Sequence, residues 1–124
     1  MLKLTMFVRR LPELSRDQFD SHWLDRHGPL VRSHQQVLRI RRYVQTVPLP
    51  DPAQQSIRAS RGLAAADYDG CGELWWDSFD DHSSARASPE GLAALRELIA
   101  DERRFVDLSR SIAWYGTERL IIPD

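Results

Sequence analysis

The sequence predicts an α+β fold, in which a four-stranded antiparallel sheet carries helices on one face and is built from two β-α-β halves. Three features point to it: a period-2 apolar run at the start, a sharply marked helix start just after it, and the return of strand-helix-strand order in the second half. At 124 residues the chain has room for one core. A chain of this size buries about two-thirds of its unfolded surface, so a single domain over residues 1–124 is expected.

Leu2, Leu4, Met6 and Val8 alternate with Lys3, Thr5, Phe7 and Arg9, the pattern of a first strand. After Leu11-Pro12, Ser15 and Gln18 have capping-box spacing, and Leu14 and Phe19 are placed as a hydrophobic staple, so a helix starts here. Phe19, Trp23 and Leu30 fall within about 40° on a helical wheel, with His27 at the stripe's edge. Gly28-Pro29 is expected to interrupt this helix, because proline lacks a backbone donor and restricts the residue before it. The β-branched run Arg39 to Val47 predicts a second strand, closed by Pro48, Pro50 and Pro52.

Residues 48–68 read as an insert, a candidate lid, with an alanine-rich polar core from Ala53 to Ala66 that Ile57 and Leu63 would anchor as a short surface helix. An Asp69-Gly70 turn leads into a third strand, Cys71 to Trp76. A helix follows from Ser78 to Ala87. Another starts at Ser88-Pro89, with Leu92, Leu95 and Ile99 as its buried stripe and Asp101 recapping a final turn that carries Phe105 and Val106. The last strand is expected from Ile112 to Ile122. The order matches the ferredoxin-like βαββαβ arrangement. Trp75, Trp76, Trp114, Tyr115, Ile121 and Ile122 put apolar groups on both parities of their strands, so both sheet faces should be covered, the outer one by a second copy in a symmetric homodimer.

Seventeen basic and eighteen acidic side chains leave a net charge of -1. That balance speaks against nucleic acid as a partner, since phosphate neutralisation needs clustered positive charge. No apolar run approaches a membrane span or a signal-peptide core, and the single cysteine, Cys71, makes no internal disulfide. A cytoplasmic protein starting at Met1 is expected. Cys71 reads as a packed strand residue, not a nucleophile. His22, His27 and His34 lack the spacing of helical zinc ligands, and no phosphate-binding loop, dinucleotide fingerprint or nucleophile elbow is present, so neither metal nor cofactor is expected.

The segment Phe19-Asp20-Ser21-His22-Trp23-Leu24-Asp25-Arg26-His27-Gly28-Pro29-Leu30 is the most specific stretch of the chain. With Arg9-Arg10, Arg42-Tyr43-Val44-Gln45, Glu73-Leu74-Trp75-Trp76-Asp77, Ser88-Pro89-Glu90, Asp101-Glu102 and Phe105-Val106-Asp107, it resembles the EthD family, over about Lys3 to Ile122. The resemblance implies a dimeric α+β barrel with a pocket between the first helix and the sheet. It also marks His27 as the family's hallmark histidine.

Six side chains are candidates for the site. His27 is the first, because imidazole exchanges protons near neutrality; the competing reading is a ring that satisfies helix-end carbonyls. Tyr43 would orient a substrate oxygen or simply pack in the core, and Glu73 would hold counter-charge or pair with Arg42. Phe7, Trp23 and Trp76 are the expected substrate walls, although strand parity is open because Trp75 and Trp76 point to opposite faces. The expected function is cofactor-free acid/base chemistry, of the isomerase, cyclase, dehydratase or decarboxylase kind, on a small hydrophobic or aromatic carbonyl compound. The alternative is a non-catalytic carrier of an oxidative, ether- or aromatic-degrading pathway, as the family's name implies.

Overall fold

The computed structural model describes residues 1–65 and 67–124. Its strands are β1 (Leu2–Val8), β2 (Arg42–Thr46), β3 (Gly70–Trp76) and β4 (Ile112–Thr117), in the order β2-β3-β1-β4 with every pairing antiparallel. The helices are α1 (Arg16–His22), α2 (Gly28–Ser33), α3 (Gln35–Leu38), α4 (Asp51–Arg61), α5 (Phe79–Ala87) and α6 (Pro89–Glu102). A π-turn, Trp23–His27, joins α1 to α2, and a 3-10 turn, Leu108–Arg110, precedes β4. This is the expected ferredoxin-like order.

Register settles the strand parity. Leu2 pairs with Trp76, Leu4 with Leu74 and Tyr115, and Leu74 with Tyr43, so these side chains share one face. That face meets the helices: Leu2 and Trp76 are buried with Val31, Leu38, Ile40, Ala94 and Leu98. Phe19, Trp23, Phe105, Val8 and Val106 form a second buried cluster. The opposite parity, with Lys3, Phe7, Glu73, Trp75 and Trp114, forms the outer face.

The capping box of Ser15 and Gln18 is present, and Leu14 packs on the cluster around Phe19. Gly28-Pro29, however, does not end the helix. Gly28 donates its backbone N–H to the Trp23 carbonyl, one residue farther back than in an α-helix, and the widened turn admits Pro29 into the first turn of α2. Arg39 instead terminates this helical stretch in a left-handed conformation (φ 55°), which delays β2 to Arg42. β4 also stops early, at Thr117, leaving Ile121 and Ile122 outside the sheet.

The insert forms α4, with no buried residue; Ala66 lies outside the described residues. On α6 the buried stripe is Gly91, Ala94, Leu98 and Asp101, whereas Leu92 is exposed and Leu95 and Ile99 border a cavity. Asp101 does not recap a turn: its carboxylate is engaged by two histidines. Among the described residues no helix is long and apolar enough to cross a membrane.

Gly70 owes its identity to Trp23, whose six-membered ring lies where a Cβ at that position would project. Overpacking of a filled core costs about 1–3 kcal/mol, so Gly70→Ala should destabilise the fold by that amount in urea unfolding and shift Trp23 fluorescence. An unchanged midpoint would show that the indole does not seat on β3.

Candidate active site

The helix-facing side of the sheet and the helices enclose a cavity of about 210 Å³. Leu4, Leu74, Trp76, Leu98 and Ile99 supply apolar wall, while His27, Tyr43 and Glu102 bring polar groups to it. Such a mix of apolar lining and a few convergent polar groups is typical of small-molecule sites.

His27 enters from the last position of the π-turn and is 6% exposed. Its Nδ1 lies 2.8 Å from Asp101 Oδ2, and His22 Nε2 lies 3.0 Å from the other oxygen, Oδ1. Arg104 Nη1 also donates to Oδ1, at 3.3 Å. These donors hold the Asp101 carboxyl below the usual carboxylate range against the opposing effect of its burial. An ionised carboxylate only accepts hydrogen bonds, so His27 carries its proton on Nδ1 and keeps a lone pair on Nε2. Burial, outweighing Asp101, pulls the His27 pKa below its ordinary value, and the ring is neutral at neutral pH. Phe105 packs on both rings, with centroids 4.5 Å from His22 and 5.2 Å from His27.

Glu102 Oε2 stands 3.9 Å from His27 Nε2. Burial first, then the neighbouring Asp101 charge, raise the Glu102 carboxyl to about 7. At neutral pH a neutral base therefore sits beside a carboxyl group that is about half protonated, their proton affinities pushed toward each other. Tyr43 completes the group. Its hydroxyl accepts from Gln45 Nε2 at 2.9 Å, and the same amide donates to the Trp23 carbonyl at 2.9 Å, which ties β2 to the π-turn. Burial raises the Tyr43 pKa, so the phenol stays protonated.

Of the six candidates, the fold gathers four around this cavity: His27, Tyr43, Trp23 and Trp76. Phe7 and Glu73 are on the outer face. Phe7 packs against Tyr68 and Trp114, and Glu73 pairs with Lys3. Arg42, the partner considered for Glu73, stacks over Trp75 instead, its guanidinium carbon 4.7 Å from the ring centroid. Cys71 shares that outer parity, and burial raises its thiol pKa. His34 pairs with Glu97 at 2.9 Å, away from His22 and His27. Among the described residues no group of three or more His, Cys, Asp or Glu side chains is arranged to hold a metal ion.

Asp101 and Glu102 are the site groups that sequence reasoning missed. Asp101 shows itself on the buried stripe of α6 at seven residues from Ala94, a position where an apolar residue is the norm. Glu102 gives no such signal.

The fold and the site define an α+β pocket protein with an acid/base cluster under its helices. A family model described as "EthD domain" matches residues 11–109, and the chain belongs to this family. No curated protein matches it by sequence. Among solved structures it is similar to an ethyl tert-butyl ether d (EthD) family protein from Bacillus halodurans, with 21% identity, 96% of this chain and 99% of that one covered, and a TM-score of 0.64. It is also similar to the hydroxynitrile lyase of Passiflora edulis, with 14% identity, coverage of 98% and 96%, and a TM-score of 0.63. A third similar structure is a dimeric ferredoxin-like protein of Thermobifida fusca, with 16% identity, coverage of 94% and 90%, and a TM-score of 0.56.

The raised Glu102 pKa has a thermodynamic consequence. Its folded value, about 7, lies above the ordinary 4.5, so its contribution is complete below pH 4.5 and is lost as pH rises through 7. Relative to Glu102→Gln, the parent protein should lose about 3 kcal/mol of stability between pH 4 and pH 8. Denaturant titrations of both proteins across this range measure it. A constant difference would refute the shift.

Proposed function

We propose that the protein catalyses cofactor-free proton transfer on a small hydrophobic or aromatic carbonyl compound, as an isomerase, cyclase, dehydratase, decarboxylase or related lyase. The Asp101-His27 pair, aimed at a mostly apolar cavity, is the observation that carries this reading. His27 Nε2 takes a proton from the carbon or hydroxyl beside the carbonyl, and Asp101 stabilises the imidazolium that forms. The Tyr43 hydroxyl donates to the oxygen on which negative charge develops. Glu102, in its protonated form, returns a proton at the position where the product needs one. A lyase among the proteins of similar fold is compatible with such chemistry.

Outer-face exposure supports a homodimer. Trp114 is 53% exposed and Ile112 47% exposed, on the sheet face that no helix of α1, α2, α3, α5 or α6 covers. A second copy is the proposed cover, in line with the dimeric Thermobifida relative. Trp114→Arg should halve the mass seen by light scattering, and a parent protein that already runs as a monomer would refute the assembly.

A test of the chemistry needs no prior substrate. Aromatic ketones and aldehydes are incubated with the protein in deuterium oxide, and exchange of the acidic C–H beside the carbonyl is followed by NMR. The parent protein should accelerate exchange of at least one compound, and His27→Ala should lower that rate by 10²–10⁴-fold, the usual worth of a positioned base. Saturable quenching of tryptophan fluorescence with no exchange or turnover in any compound would overturn the catalytic reading in favour of a carrier.

A further inference from the structure

The cavity has a second polar end, which the acid/base chemistry does not use. Tyr43, Leu74, Leu4 and Tyr115 are consecutive partners across β2, β3, β1 and β4, so they form one row over the full width of the sheet. Three inter-strand spacings put the Cα atoms of the two tyrosines about 14 Å apart. Both phenols stand on the helix-facing side, with two leucines between them. One end of the row belongs to the acid/base group. At the other, Tyr115 meets two residues of α5, His82 and Arg86, which also border the cavity.

The three side chains are joined by hydrogen bonds. Arg86 Nη1 donates to the Tyr115 hydroxyl oxygen, at 3.2 Å, because guanidinium has only donors. His82 Nε2 shares a hydrogen bond with the same hydroxyl, 2.8 Å away. His82 is 5% exposed and packs on Trp76 at a tilt of 48°, with ring centroids 4.0 Å apart, so the imidazole is held in place beside Tyr115. The guanidinium keeps further N–H groups unused. Among the described residues it pairs with no carboxylate, unlike Arg39 and Arg41 nearby, which pair with Asp81 and Asp77. An uncompensated guanidinium at the exposed end of an apolar cavity is a ready carboxylate receptor, and a phenol hydrogen-bonded to it narrows the geometry.

We propose that Arg86 and Tyr115 bind the carboxylate of an amphiphilic acid, whose apolar body lies along Leu4 and Leu74 and whose reactive end reaches His27 and Tyr43. This rests on the reading of the cavity as the substrate site and adds its substrate class. Charge fixes the orientation: the Asp101 carboxylate sits at the His27 end and repels an anion, whereas Arg86 attracts it. The row accommodates a short aryl-alkyl or alkyl acid.

The probes are 4-phenylbutyrate and octanoate, each paired with its alcohol, 4-phenylbutanol or octanol, and binding is read from quenching of tryptophan fluorescence with calorimetry as a check. Each acid should bind at least tenfold more tightly than its alcohol at low salt, and the preference should shrink as salt is raised. In Arg86→Gln the acid should fall to the affinity of its alcohol. Arg96→Gln, an equal loss of charge at an exposed α6 position away from the cavity, should keep the preference. Acid and alcohol binding alike to the parent protein, or a preference that survives Arg86→Gln, overturns the carboxylate site and leaves the proton-transfer reading standing. Failure of all four probes to bind likewise overturns the amphiphilic-acid proposal, while the exchange test on ketones and aldehydes decides the proton-transfer reading separately.

Discussion

A buried carboxylate organises this protein. Asp101 is 5% exposed, and an ionised group so enclosed is tolerable only when its lone pairs are met by donors. Two of the donors, His22 and His27, come from the other half of the chain, one from α1 and one from the π-turn, and the third is Arg104 just beyond α6. Satisfying Asp101 therefore clamps the end of α6 onto the first helical stretch. The same bonds fix the tautomer of His27 and leave its lone pair facing Glu102. Structural necessity and chemical readiness thus have one source. Because Asp101 and Glu102 are consecutive on a helix, their side chains diverge by about 100°, which lets one serve the clamp while the other borders the cavity.

The π-turn is the second half of the same device. A regular helix would meet Pro29 with a clash and a missing hydrogen bond. The extra residue in the turn lets the helical stretch continue through Pro29, and the Trp23 carbonyl that receives Gly28 also receives the Gln45 amide from β2. A backbone irregularity thereby becomes the anchor of the Tyr43-Gln45 pair. Trp23 lies over Gly70, so the turn is held against β3 as well. Widened turns of this kind concentrate at functional sites, and here the local geometry supplies the reason.

How much could be read from the residues follows from the range of the forces involved. The capping box at Ser15 and the alternation in β1 depend on neighbours a few residues away, and they were legible. So was the order of the elements, and so was His27, whose position before Gly28-Pro29 marks a helix irregularity even when its kind is misjudged. The break at Pro29 was expected because proline cannot continue a regular α-helix, and it was not found because a π-turn takes the residue in. Glu73 and Phe7 were favoured because each stands in an apolar strand, yet a one-residue change of parity sends a side chain to the other face, and only cross-strand register decides it. Glu102 was invisible for the opposite reason. It lies in the polar run Asp101-Glu102-Arg103-Arg104, which reads as a solvated helix end, and its place at the cavity beside His27 depends on contacts distant in sequence.

The distance between the two polar ends of the cavity is set by a junction that touches neither. The acid/base end hangs on the last turn of α6 and the Arg86 end on the last turn of α5, and the two helices meet at Ser88. Its hydroxyl donates to the Ala85 carbonyl at 2.9 Å and accepts from the Gly91 amide at 3.0 Å, closing α5 and opening α6 with one side chain. Gly91 allows the contact, since a Cβ there would strike the Ala85 carbonyl oxygen. Beneath both ends the sheet provides a floor of fixed spacing, with Leu74 and Leu4 held by hydrogen-bonded neighbours on either side. The geometry that a ligand meets is therefore rigid along the row and at the corner between the helices. Variation in what such a cavity accepts must come from the side chains at its two ends, where a single residue such as Arg86 can change the charge of the acceptable ligand without disturbing the clamp at Asp101.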